Sequence, residues 1–162
     1  MFLNIIPARA DLLAFLTAVP EEIVLPTPFT GGCLCGAVRY TCDADPMMAG
    51  HCHCEDCRRT SGSGHSSHLA VAEESVVLTG EVKGYVRPSE SGNPVTRAFC
   101  PNCGAPIFSK NPAMPGMVFL RASSLDDLEV FQPQMHVYAM RAASWDALSS
   151  GVPVFEKMPP GM

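Results

Sequence analysis

Seven of the eight cysteines in this 162-residue chain fall into three tight groups, and that grouping limits what the chain can become. Cys33 and Cys35 form Cys-x-Cys. Cys52, Cys54 and Cys57 form Cys-x-Cys-x-x-Cys, Cys100 and Cys103 form Cys-x-x-Cys, and Cys42 stands alone. Pairs one or two residues apart are metal knuckles far more often than structural bridges. Disulfides also require an oxidising compartment. The first 26 residues hold a short apolar run, Leu12 to Val19, with Asp11 before it and Glu21–Glu22 after it. A secretory signal wants a basic segment before such a run and small residues at a cleavage site. The expectation is a cytoplasmic protein whose cysteines stay reduced and bind metal, with a leader that is either a short amphipathic helix, its best pattern at 11–18, or a loosely held extension.

Hydrophobic residues make up 47% of the chain and charged ones 17%, which excludes a self-repelling disordered polymer. A net charge of −5 argues against nucleic acid as the main partner, because phosphate binding needs a basic face. Nothing approaches the roughly 18 consecutive apolar residues that span a membrane, so no membrane partner is expected. The length suits one domain with its own core.

Val38 and Tyr40 alternate with Arg39 and Thr41, the period of a half-buried strand. Similar short runs lie at 68–72, 76–79, 82–86, 95–99, 105–108, 117–121 and 135–138, separated by clusters of Gly, Pro, Ser and Asn. Many short strands so punctuated predict an antiparallel all-β fold with few short helices. One helical turn is expected after Cys54, and a second weak helical pattern covers 144–149.

Cys33 and Cys35 are two apart, so on an extended chain both sulfurs point to one face. Cys100-Pro-Asn-Cys103 makes a tight turn, and Gly104 lets the backbone fold around the second sulfur. Together these four soft ligands make the closed set of a structural zinc site. Cys52, Cys54 and Cys57 supply only three ligands, the pattern of a zinc that keeps an open position for chemistry. A fourth protein ligand would close it, and His51, His53, His65, His68 and Cys42 are the candidates. Zinc with three thiolates carries one negative charge in excess. It is therefore a weak activator of water but still binds an incoming thiol and removes its proton. Arg58 and Arg59 directly follow Cys57 and can offset that charge or hold a substrate carboxylate. Glu55, Asp56 and His53 lie near the site in sequence, where charged residues mostly face solvent.

GGCLCGAVRY, HCHCEDCRRTSG and FCPNCGAPIF, in this order, resemble the glutathione-dependent formaldehyde-activating enzyme family, which includes centromere protein V. The likeness runs over residues 29–158 and leaves 1–28 as an N-terminal extension. It implies a β-tent of antiparallel sheets stapled by zinc. It also implies two zinc ions per chain, one structural at Cys33, Cys35, Cys100 and Cys103 and one catalytic at Cys52, Cys54 and Cys57. The activity implied is that of a carbon–sulfur lyase run in reverse, joining glutathione to formaldehyde to give S-(hydroxymethyl)glutathione. Its partners would be a glutathione-like thiol and a small electrophile. Cys42 has no counterpart in these motifs and reads as a small buried hydrophobe. The rival reading is a zinc-stabilised interaction module without catalysis, which a fourth protein ligand on the second ion would favour.

Overall fold

Short β-branched and aromatic runs separated by Gly, Pro and Asn can bury their apolar sides only by pairing edge to edge. Among the described residues they do so as ten strands in two sheets. The computed structural model describes residues 28–161. In chain order the strands are β1 (Phe29–Gly32), β2 (Arg39–Cys42), β3 (Met48–Cys52), β4 (Ser66–Ala72) and β5 (Val76–Thr79). They continue as β6 (Lys83–Pro88), β7 (Pro94–Phe99), β8 (Pro106–Lys110), β9 (Met117–Arg121) and β10 (His136–Val137). One α-helix among the described residues, α1 (Glu55–Ser61), follows β3. β1, β2 and β5 form a three-stranded sheet, and the other seven run in the order β10-β3-β4-β9-β8-β7-β6. Every pairing is antiparallel except β10 with β3, so the larger sheet is mixed.

The alternation of side chains along a strand gives the seven-stranded sheet two distinct sides. Leu69 and Val71 of β4, Ile107 of β8, and Val118 and Leu120 of β9 pack against Phe29, Val38, Tyr40 and Cys42 from the smaller sheet. That is the core. The intervening residues His68 and Ala70 of β4 and Phe119 and Arg121 of β9, together with Ser109 of β8, line a cavity of about 600 Å³ on the other side. Cys42 is fully buried, and its sulfur contacts Ser75 Oγ at 3.4 Å. Ile107 has no exposed surface and belongs to the core side alone. Ile107→Ala should therefore cost about 2–5 kcal/mol in urea unfolding while leaving metal uptake unchanged.

The expected strands from 38 onward are present, with ends shifted by a residue or two. β10 is shorter than its 135–138 pattern because Tyr138 turns into the left-handed region at φ 55. β1 (FTGG) and β3 (MAGHC) were not expected. The segment 144–149 is not helical: it is a turn in which the Asp146 N–H donates to the Ala143 carbonyl. A six-residue helix has too few internal bonds to form without packing, and Asp146 is drawn instead to a pair of histidines. The helix expected over 11–18, like most of the extension, lies outside the described residues.

Candidate metal centres

The connection from β1 to β2 carries Cys33 and Cys35, and the turn after β7 carries Cys100 and Cys103. The structure gathers all four sulfurs within 4.8 Å of one another. Cys33 and Cys35 sulfurs are 3.5 Å apart, and those of Cys35 and Cys100 are 3.8 Å apart. Sulfurs at about 2.3 Å from a tetrahedral zinc lie roughly 3.8 Å from each other, so the spacing fits such an ion. The Val38 N–H donates to Cys33 Sγ at 3.2 Å, and Asn102 Nδ2 donates to Cys35 Sγ at 3.2 Å. Gly104 sits at φ 74, the left-handed conformation that lets the Cys100–Cys103 turn close. One pair of cysteines comes from the smaller sheet and the other from the larger, so this cluster ties the two sheets together.

Cys52 ends β3, Cys54 caps the N-terminus of α1, and Cys57 lies in the helix's first turn. Their sulfurs also lie within 4.8 Å of one another. The Cys57 N–H donates to Cys54 Sγ at 3.4 Å. Hydrogen bonds from Cys52 and Cys57 pull the Cys54 thiol down to about 2, and the same sharing pushes Cys52 well above the usual thiol range. The three clustered sulfurs share protons among themselves, and a cation between them would favour ionisation of all three. The donor set suits a soft divalent ion such as zinc.

None of the five side chains that sequence offered as a fourth ligand joins this trio among the described residues. His68 comes nearest, with Nε2 at 3.5 Å from Cys57 Sγ, but that nitrogen faces Arg121 Nη1 at 3.2 Å and accepts a hydrogen bond from it. His51 Nδ1 pairs with Ser67 Oγ at 2.9 Å, His65 pairs with Asp146, and Cys42 lies in the core. His53 points away from the cavity. Burial pushes the His53 and His136 imidazoles below their usual range, and His51 falls to about 4.

The charged residues around the trio differ from those expected. Arg58 and Arg59 are exposed on the outer side of α1, with Arg59 bonded to Glu55 at 2.8 Å, and neither lines the cavity. Arg121 fills the electrostatic role instead. It is 2% exposed, donates to Ser66 Oγ as well as His68, and lies close enough to Cys57 and Cys52 for their charges to oppose the downward pull of burial on its pKa. Asp56 is not a solvent-facing loop residue. Its carboxylate accepts from Arg97 Nη2 at 2.8 Å and lies 3.4 Å from Arg87, which fastens α1 to β6 and β7. An arginine ending the apolar strand MVFLR was the one sequence sign that pointed to Arg121.

The family model described as glutathione-dependent formaldehyde-activating enzyme matches residues 28–141. A Halomonas elongata protein, whose name gives it that activity provisionally, is 30% identical over 132 residues, covering 74% of this chain and 80% of the relative. A crystal structure of a Rhodobacter sphaeroides protein superposes with a TM-score of 0.50 at 15% identity, over 78% of this chain and 98% of that one. This last is a likeness of fold alone. No helix among the described residues is long and apolar enough to cross a membrane.

Proposed function

The chain belongs to the glutathione-dependent formaldehyde-activating enzyme family, and from that premise we propose that it joins glutathione, or a similar thiol, to formaldehyde or another small aldehyde. The observation that carries this reading is the trio Cys52, Cys54 and Cys57 facing a cavity of about 600 Å³ with no fourth donor from the described residues. We assign zinc to this trio and a second, structural zinc to Cys33, Cys35, Cys100 and Cys103. When bound at the trio, zinc supplies a coordination position where a thiol ionises readily at neutral pH. In the reaction the sulfur attacks the carbonyl carbon, a carbon–sulfur bond forms, the carbonyl π bond breaks, and the proton lost by the thiol ends on the new hydroxyl oxygen. Formally this is a carbon–sulfur lyase working toward addition.

The chain's own residues have distinct parts in this scheme. Cys52, Cys54 and Cys57 hold the ion, and Arg121 offsets the negative charge that three thiolates leave over. Arg87 and Arg141 also line the cavity, each half exposed and each already paired with one acid, Asp56 and Glu90 respectively. They are placed to receive the carboxylates of a glutathione-like thiol. We take the working domain to run from 29 to 158, because the tail is bonded back onto the sheet: the His136 N–H donates to Pro153 and the Ala139 N–H to Phe155. Eight unpaired cysteines suit a reducing compartment such as the cytoplasm.

The direct test is formation of the hydroxymethyl adduct from glutathione and formaldehyde, followed by NMR against the uncatalysed reaction. No excess rate across a panel of thiols and small aldehydes would sink the proposal. A narrower test concerns Arg121. Arg121→Met keeps the stem and removes the charge, so the trio should hold its ion about 10- to 100-fold more weakly in competition with a chromophoric chelator. The four-cysteine cluster should be unaffected.

A further inference from the structure

His53 lies between two of the three cysteines of the trio, yet its ring faces the opposite way. Cys52 and Cys54 line the cavity, whereas His53 is 0% exposed. Its backbone is tied to the tail, with the His53 N–H donating to the Val137 carbonyl at 3.0 Å. Any rotation of the chain at residue 53 would therefore swing both neighbouring sulfurs.

What holds the ring can be read from the direction of the hydrogen bonds. A main-chain N–H can only donate, so the Ser149 N–H, 3.2 Å from His136 Nε2, makes that nitrogen an acceptor. A ring that accepts at Nε2 carries its proton on Nδ1, and His136 Nδ1 lies 3.1 Å from His53 Nε2 and donates to it. By the same rule His53, accepting at Nε2, carries its own proton on Nδ1. That N–H is buried, makes no aligned hydrogen bond, and has the Asp146 carboxylate 3.3 Å away. The same carboxylate accepts from His65 Nδ1 at 2.8 Å. Gly64 makes room for it, because a β-carbon there would collide with Asp146 Oδ2 and Cγ. Asp146 comes from the stretch that failed to form a helix, beyond the residues matched by the family model.

We propose that Asp146 is a positioning residue for the three-cysteine centre: acting through His53, it fixes the backbone from which Cys52 and Cys54 aim their sulfurs. This rests on the assignment of an ion to that trio. The atoms of His53, His65 and Asp146 also lie within 4.8 Å of one another, a spacing that fits a cation. Proton placement opposes that use. An ion on His53 Nδ1 would drive the proton to Nε2 and shift His136 to its other tautomer, so that two N–H groups would face each other at Ser149.

Cobalt substitution separates these outcomes, since thiolate-to-cobalt charge-transfer bands and the d–d bands report the geometry of a cobalt–sulfur site independently of turnover. Asp146→Ala should shift the d–d bands of the three-cysteine site and weaken its cobalt affinity about tenfold, the scale found when an outer partner of a metal site is lost. Gly64→Ala, which displaces the carboxylate without removing it, should give the same signature. Asp146→Asn keeps an acceptor oxygen and should fall between Asp146→Ala and the unaltered protein. Trp145→Ala, at a neighbouring residue that is 72% exposed, should change nothing. A purely structural role would lower the melting temperature and leave the bands and affinity in place, which would overturn the proposal. Loss of a whole cobalt ion per chain lacking charge-transfer intensity would overturn it in favour of a histidine–aspartate cation site. Cobalt–thiolate bands in the unaltered protein, shifted by Asp146→Ala, with no adduct formation would instead remove the functional reading and leave this one standing.

Discussion

Cys54→Ser should reduce adduct formation from glutathione and formaldehyde to the uncatalysed rate while leaving the protein folded. Loss of an outer partner of a metal site commonly costs about 10- to 100-fold, so loss of a ligand should exceed that. Serine is a good choice because it separates two tasks of Cys54. The residue caps α1, accepting the Cys57 N–H with its side chain, and a serine hydroxyl caps a helix well. It cannot supply a thiolate. Circular dichroism should therefore match the parent, metal analysis should show one ion fewer per chain, and the NMR assay should show only background. A Cys54→Ser protein that still turned over at the parent rate would remove the metal from the reaction.

Cys100→Ser should have the opposite character and abolish the folded state itself. Cys33 and Cys35 belong to the smaller sheet's β1–β2 connection and Cys100 and Cys103 to the larger sheet's β7–β8 turn, so their shared ion is the fastening between the sheets at that end. Structural zinc sites of this kind bind with apparent energies of about 10–16 kcal/mol, against a total stability of about 5–15 kcal/mol for a typical domain. The chain has no disulfide in reserve. A strong chelator at neutral pH should accordingly abolish the cooperative thermal transition, and zinc should restore it. A sharp melt that survives both Cys100→Ser and chelation would show that the core alone suffices. Folded-and-inactive for one cysteine, unfolded for another, is the contrast on which the division into two centres stands.

The cysteine groups could be read from the sequence because their chemistry is local: two or three sulfurs within one turn converge whatever the rest of the chain does. The strands from β4 to β9 could be read for a similar reason, since alternation in HLAVA or MVFLR is a property of five neighbouring residues. β1 and β3 escaped notice because FTGG and MAGHC have weak strand preference. They are strands because β2 and β4 offer them a partner edge. The segment 144–149 is a turn despite its helical pattern because distant groups satisfy it, with Asp146 reaching His65 across the fold. Proximity in sequence points to Arg58 and Arg59 rather than to Arg121. A residue sixty-four positions beyond Cys57 reaches the trio only once β9 lies beside β4. What was missed is what depends on pairing between remote segments.

The shared wall formed by β4 and β9 has a consequence for how such a protein can change. Core packing and cavity chemistry occupy alternate residues of the same strands, so deleting or inserting one residue within β9 would exchange the two roles, sending Leu120 into the cavity and Arg121 into the oil. Fold and chemistry would fail in one event. Divergence toward other reactants is thereby channelled into point replacements at every second position, where new side chains can be tried without disturbing those that keep the sheets together.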